Sequence, residues 1–320
     1  MSPKLIIGIF FLRALYAAPG PTEFHTLVEP LPNENIPSAC QYELWLPGSG
    51  HRIYAVWIIF ERGQDTVRLY EDRAVRKFAS GHRLGLVLAH HCRSKDREDM
   101  DVEPSHGIGR ALFQALDQFS ENSAHSELRS CKLVLLGWSG AGSLVARLPG
   151  FAHKRILAVI AYAPGQYDPL GMDTIELSRD AAAVPQLVIA NGADSVNGTA
   201  RPYGYFARYW SRGAPWTFVI QNGTSHCCLQ NVEMLILAWL EAVEASEGRG
   251  GHARFGYLRL KESEVRDTWH LPVSNILNAR VSVRRESSIS DEVPAGLVSG
   301  GRFAREWLLL ARLGNTKKSR

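Results

Sequence analysis

Residues of three types that together activate a hydroxyl group follow three separate apolar runs of the chain. Ser139 directly follows KLVLLGW. Asp194 comes shortly after PQLVIAN, and His226 comes shortly after WTFVIQN. A serine hydroxyl is a weak nucleophile at neutral pH unless an imidazole takes its proton and a carboxylate orients that imidazole. This set therefore predicts nucleophilic catalysis, with Ser139 attacking, His226 acting as general base and Asp194 holding the imidazole.

The acid of this set has a competitor. Asp168 follows the apolar run RILAVIAYA and comes one strand earlier along the chain than Asp194, so its carboxylate could also reach the imidazole. Asp194 lies in a Gly-, Asn- and Ser-rich loop, where an aspartate often serves only to form a turn. We prefer Asp194 as the acid and keep Asp168 and the turn role as alternatives.

The residues around Ser139 favour a tight turn between a strand and a helix. A serine placed on such a turn adopts a strained backbone conformation and needs small residues two positions before and after it, which Gly137 and Ala141 provide. Gly140 would then open the helix and direct its amide at a developing oxyanion. The alternative of a phosphate-binding turn is disfavoured, because the segment lacks the GxGxxG spacing and the trailing lysine of such loops.

Strands and helices alternate along the chain. Continuous apolar runs predict strands at 42–47, 53–60, 84–91, 132–136, 155–163, 185–191 and 216–222. Helical spacing predicts helices at 67–79, 105–120 with Ser105 as its cap, 140–148, near 173–183, near 203–211, and 228–245. This alternation indicates an α/β fold with a mostly parallel sheet flanked by helices, in which functional groups collect at the carboxyl ends of the strands.

The order Ser, Asp, His at strand ends, with a GxSxx elbow, resembles the α/β-hydrolase superfamily over about residues 40–245. The resemblance implies a mostly parallel eight-strand sheet and a Ser139–Asp194–His226 triad that forms an acyl-enzyme cleaved by water. Ala141 stands where the superfamily usually has glycine, within its tolerance for small residues. A non-catalytic binding protein, a peptidase or an acyltransferase on the same fold remain alternatives to a carboxylic-ester hydrolase.

The oxyanion hole implied by the resemblance has two donors. The first is the amide of Gly140, and the second comes from the loop that begins at Glu61. The His-Gly pair usual in lipases and esterases is missing there, so we expect a backbone amide of Glu61 or Arg62 to donate instead. Short connections between strands argue against a large lid and favour a small or polymer-linked ester as the substrate.

The ends of the chain differ from its middle. Residues 1–18 have the charged, apolar and small-residue order of a signal peptide, which predicts secretion, and 19–39 form a Pro-rich leader. The catalytic domain is predicted at 40–245. The segment 246–320 is predicted to be an extension that packs on or near that domain, with a strand at 276–283 and a helix at 302–313.

Composition sets limits on partners. The net charge of +4 comes from residues 249–320, where 14 Lys and Arg face 7 Asp and Glu, but these charges form no long run and no nucleic-acid-binding motif is present. We therefore predict neither nucleic-acid binding nor a membrane span, and a mechanism without cofactor or metal. His90 and His91 resemble a metal pair only superficially, since adjacent residues on a strand point to opposite faces.

The five cysteines are too few and too irregularly spaced for a disulfide scaffold or a zinc site. Cys92 and the pair Cys227-Cys228 are predicted at the same end of the sheet, so a bridge that steadies the His226 loop is one option. Cys131, at the start of its strand, lies at the opposite end and is a poor partner for Cys92.

Overall fold

The computed structural model describes residues 20–48, 50–90, 92, 103–165, 175–221, 223–227, 229 and 231–248, three strands after residue 248, and residues 302, 306 and 309. Its sheet runs in the order β1-β2-β4-β3-β5-β6-β7-β8-β11-β9-β10. The strands are β1 (Thr22–Val28), β2 (Cys40–Leu46), β3 (Ala55–Phe60), β4 (Leu84–His90), β5 (Lys132–Trp138), β6 (Ile156–Tyr162), β7 (Gln186–Asn191), β8 (Thr217–Gln221), β9 (Thr268–Pro272), β10 (Arg284–Arg285) and β11 (Pro294–Ser299).

Strands β3 to β8 run parallel to one another, whereas β2 is antiparallel to β4 and β1 is antiparallel to β2. Every residue of β3, β6 and β7 is buried, as expected where helices cover both faces of a parallel sheet. Each of the seven strands predicted from apolar runs is present, with ends displaced by at most two residues. The predicted mostly parallel sheet flanked by helices is confirmed.

Seven α-helices connect these strands in the described part of the chain. They are α1 (Gln64–Glu71), α2 (Arg73–Gly81), α3 (Ile108–Asn122), α4 (Gly140–Ala152), α5 (Arg179–Ala182), α6 (Ala200–Trp210) and α7 (Glu233–Gly248). The predicted single helix at 67–79 is two helices, because Asp72 adopts an extended conformation and its carboxylate accepts hydrogen bonds from the amides of Ala74 and Val75. Asp72 therefore caps a new helix instead of continuing the first.

Some predicted helix boundaries were wrong. Ser105 does not cap α3, because residues 104–106 form a separate 3-10 turn and Gly107 precedes the helix. The last helix begins at Glu233 and not at 228. The strand predicted at 276–283 lies outside the described residues, and of the helix predicted at 302–313 only residues 302, 306 and 309 are described, all three helical.

Strand β1 lies within the segment 19–39, which was predicted to be a Pro-rich leader. It pairs along its whole length with β2, and the loop that follows it is fixed to α3. Glu34 accepts from Arg110 through both carboxylate oxygens, at 2.5 Å from Nε and 2.6 Å from Nη2. Residues 22–28 are therefore part of the sheet, and the loop after them is bonded to α3.

The sheet continues beyond the eight strands that were expected. Strand β11 pairs antiparallel with β8, with Gly296 opposite Thr217, and β9 and β10 follow beyond it. The C-terminal segment thus adds three strands at the β8 edge. Of the helices in the described residues, none combines the length and the apolar character that crossing a membrane requires.

Candidate active site

Ser139 occupies a strained turn between β5 and α4. Its backbone has φ 55° and ψ −120°, in the left-handed region that a side chain rarely adopts, and its amide donates to the carbonyl of Tyr162 at 3.0 Å. A Cβ at Gly137 would overlap the carbonyl group of Ala141, so only glycine fits two residues before the serine. These constraints hold the Ser139 side chain at the carboxyl end of the sheet, as the GWSGAG pattern predicted.

Gly140 is the first residue of α4, a helix of 13 residues. The first four amides of a helix have no acceptor within the helix, and the aligned peptide dipoles place a partial positive charge at that end. The Gly140 amide therefore belongs to the positive end of α4, directly beside Ser139. This position agrees with the predicted role of Gly140 as an oxyanion donor.

The structure brings together the serine, histidine and aspartate that the sequence placed at separate strand ends. The Ser139 Oγ lies 3.0 Å from His226 Nε2, and His226 Nδ1 lies 2.8 Å from Asp194 Oδ2. The side chain of His226 is 19% exposed and that of Asp194 is fully buried. A hydrogen-bonded chain thus runs from a hydroxyl through an imidazole to a buried carboxylate that can orient the imidazole.

The Asp194 carboxylate is bonded at both oxygens. Oδ2 accepts from His226, while Oδ1 accepts from the amides of Val196 and Asn197, each at 2.8 Å. Burial acts to raise the pKa of Asp194, but the hydrogen bonds from His226 and the two amides outweigh it and lower that pKa. Asp194 is therefore a carboxylate at neutral pH. The competing acid, Asp168, lies outside the described residues.

The loop that carries His226 is bonded to residues at the ends of β5 and β7 that were not predicted from the sequence. The Asn191 side-chain amide donates to Ser225 O at 2.7 Å, and the Trp138 indole N–H donates to His226 O at 3.2 Å. The amide of Ala193 also donates to Thr224 O. The sequence offered one signal for a role of Trp138, since it is the single bulky residue among the glycines and the alanine that surround Ser139.

The second oxyanion donor, predicted to be the amide of Glu61 or Arg62, stays a prediction, and the structure shows what these amides bind here. The Glu61 amide donates to Ala89 O at 2.9 Å, which continues the β3–β4 pairing, and the Arg62 amide donates to Thr66 Oγ1 at 2.8 Å. The next amide, that of Gly63, donates to the Glu61 carboxylate at 2.7 Å. Each amide of Glu61, Arg62 and Gly63 therefore already has an acceptor within the protein.

Histidines and cysteines near this end of the sheet serve other purposes. His90 Nε2 lies 3.2 Å from Glu43 Oε1 across the β2–β4 pair, and His91 lies outside the described residues. In the described part of the chain, no cluster of three or more His, Cys, Asp or Glu side chains could hold a metal ion. Cys92 forms a disulfide with Cys40, so the predicted bridge from Cys92 to the His226 loop is wrong.

Comparisons with known proteins give remote structural likenesses. No family model matches the chain, and neither does any curated protein. Similar solved structures include an arylesterase (14% identity, TM-score 0.46, 70% of this chain and 85% of that one) and a ferulic acid esterase (14%, 0.48, 70% and 98%). Another is FphF, a fluorophosphonate-binding serine hydrolase of Staphylococcus aureus (12%, 0.47, 70% and 98%).

The chain has the α/β-hydrolase fold. With identities as low as these, the assignment depends on features of this chain itself: the mostly parallel sheet flanked by helices, and a strained serine between β5 and α4. Because β5, β7 and β8 are parallel, their carboxyl ends lie at the same end of the sheet. Ser139, Asp194 and His226 follow these three strand ends. What this site does must be argued from its own chemistry.

Proposed function

We propose that the protein is a serine hydrolase that cleaves carboxylic esters through an acyl-enzyme on Ser139. The observation that carries the proposal is the continuous hydrogen-bonded chain from Ser139 Oγ through His226 to Asp194. Each of the three groups is within the distance that proton transfer or imidazole orientation requires. The strained backbone at Ser139 supports the same proposal, because such strain is characteristic of nucleophile elbows.

The reaction proceeds in two balanced steps. Ser139 Oγ attacks the ester carbonyl as its proton passes to His226 Nε2, and collapse of the tetrahedral intermediate expels the alcohol, which receives that proton. Water then attacks the acyl-enzyme while His226 takes one of its protons, and the proton returns to Ser139 as the carboxylic acid leaves. Asp194 remains ionised throughout and stabilises the imidazolium, while the Gly140 amide binds the oxyanion.

The proposed substrate is a small or polymer-linked ester, and the chemistry needs neither cofactor nor metal. Esters are preferred to peptides by analogy with the superfamily that the sequence resembles. The sequence has no long insertion between β6 and β7, which argues against a large lid of the lipase kind there. A substrate that reaches the serine from solution fits this arrangement.

A fluorophosphonate probe tests the catalytic proposal directly. We expect the folded protein to be phosphonylated at Ser139 alone, because His226 activates only that hydroxyl. Mass spectrometry of the peptide that contains residue 139 locates the adduct. The matched control is Ser211→Ala, which removes an exposed serine at the end of α6 and should leave labelling unchanged. An unlabelled protein, under conditions that label a known serine esterase, would refute the proposal.

One observation favours a second candidate function, a non-catalytic binding protein on the same fold. The amides of Glu61, Arg62 and Gly63 are all bonded within the protein, so none of these three is open to an oxyanion in this conformation. Loss of one oxyanion donor typically costs about 10²–10³-fold in kcat. A protein that is phosphonylated at Ser139 yet hydrolyses no aryl, alkyl or sugar ester would favour this second candidate.

We also propose that the chain works in an oxidising compartment. The Cys40–Cys92 disulfide supports this, because such bonds persist mainly in secreted and periplasmic proteins, and the leader at 1–18 points the same way. In protein purified from its native host, both thiols should resist alkylation until a reductant is added, and the N-terminus should lie near residues 18–20. A cytosolic protein that begins at Met1, with both thiols alkylated before reduction, would exclude secretion.

A further inference from the structure

The general base of the proposed reaction lies on a loop without regular structure. Residues 223–227 connect β8 to the segment before α7 and belong to neither helix nor strand. Loops of this kind are usually more mobile than the elements that they connect. A misplacement of about 1 Å in a catalytic group can lower a rate by about 10²-fold, so this loop needs fixed points close to the imidazole.

Trp138 provides one such point from the side of the nucleophile. Its indole N–H donates to the backbone carbonyl of His226 itself, at 3.2 Å. Its ring also lies beside the imidazole, with centroids 5.8 Å apart and planes tilted by 37°. The residue directly before Ser139 therefore contacts the base through both its polar and its aromatic part.

Asn191 provides a second point from the side of the acid. It is the last residue of β7, it is fully buried, and its side-chain amide donates to Ser225 O at 2.7 Å. The two carbonyls held in this way, those of Ser225 and His226, are consecutive. Side chains at the ends of β5 and β7 thus bind adjacent peptide groups of the loop.

We propose that Trp138 and Asn191 are positioning residues that hold the imidazole of His226 between Ser139 and Asp194. The inference rests on the proposed hydrolase function and deepens it. Neither residue exchanges a proton with the reacting groups. Each fixes the backbone that carries the base, and each is itself anchored at the end of a strand that precedes another member of the triad.

The test separates positioning from general stability. Trp138→Phe keeps a ring beside the imidazole but removes the N–H donor, and Asn191→Leu keeps the bulk of the side chain but removes its amide. We expect each change to lower kcat on a p-nitrophenyl ester by about 10–100-fold, with KM altered less than threefold. The rate of phosphonylation of Ser139 should fall by a similar factor, because the same base activates that reaction.

Trp216→Phe is the matched control. Its indole N–H donates to Ala182 O and Val184 O at the opposite end of the sheet, so the substitution removes hydrogen bonds of the same kind away from the site. It should lower the melting temperature while kcat stays within twofold of the wild-type value. If Trp138→Phe fails to fold, 3-benzothienylalanine at position 138 keeps the ring shape, replaces N–H by sulfur, and should show the same fall in kcat.

The outcomes also separate this inference from the proposed function. A wild-type protein that neither reacts with the fluorophosphonate nor hydrolyses esters removes the function on which the inference rests. An active wild type whose Trp138 and Asn191 variants keep kcat within twofold, or raise KM alone, overturns the positioning role and leaves the function standing.

Discussion

Replacing Ser139 with alanine should lower kcat by about 10⁶-fold and abolish phosphonylation. The substitution removes the only atom of the site that forms a covalent bond to the acyl group, while the imidazole that it faces, 3.0 Å from Oγ, keeps its bond to Asp194. A residual rate above that of water is expected, because the Gly140 amide and substrate binding still stabilise the transition state. Steady-state hydrolysis of p-nitrophenyl acetate measures the fall.

The fold should survive this change, which makes the result easy to interpret. The Ser139 side chain makes no capping hydrogen bond to α4, so alanine removes no such contact from the elbow. Serine already has a Cβ at this positive φ, so alanine adds no backbone strain at position 139. Ser211→Ala is again the matched control and should keep full activity. A Ser139→Ala protein with unaltered kcat would mean that another nucleophile does the chemistry.

The sequence predicted the core of the sheet because burial leaves a direct mark on composition. Strands such as β3 and β6, with every residue buried, must be apolar throughout, and the helices between them show helical spacing. The elbow could be predicted for a steric reason, since the tight turn leaves no room for a side chain two residues before Ser139. The proximity of Ser139, Asp194 and His226 could then be predicted from the strand directions, because the carboxyl ends of parallel strands lie at the same end of the sheet.

The features that were missed depend on pairing between distant segments. Strand β1 is largely exposed, so its sequence, TEFHTLV, lacks the continuous apolar run of a central strand. The Cys40–Cys92 disulfide follows from the pairing of Gln41 with His90 in β2 and β4, across 52 residues of sequence. Main-chain bonds, such as that from the Glu61 amide to Ala89, leave no signal in side-chain types.

Asp194→Asn should lower kcat by about 10⁴-fold while the protein stays folded. Asparagine matches aspartate in shape, but its amide side chain cannot hold the imidazole as a carboxylate does, and it does not stabilise the imidazolium that forms in the transition state. The bonds from Val196 and Asn197 to Oδ1 can persist with an amide oxygen in that place. The measurement is kcat for ester hydrolysis, with the exposed Asp180→Asn as the matched control.

The same variant tests the electrostatics of the site through the pH dependence of stability. Because folding lowers the pKa of Asp194, its ionised form stabilises the native state above the ordinary carboxyl pKa of about 3.9. That contribution is lost as the pH falls through the lowered pKa of the folded state. The difference in free energy of unfolding between wild type and Asp194→Asn should therefore shrink as the pH falls below the ordinary carboxyl pKa.

Asp168→Asn decides between the two carboxylates that the sequence offered. With Asp194 Oδ2 already 2.8 Å from His226 Nδ1, the imidazole has its partner, and we expect Asp168→Asn to change kcat by less than tenfold. The opposite order, with the larger loss at position 168, would show that the hydrogen bond to Asp194 only fixes the loop. The acid of the triad would then lie after β6, one strand nearer to the nucleophile.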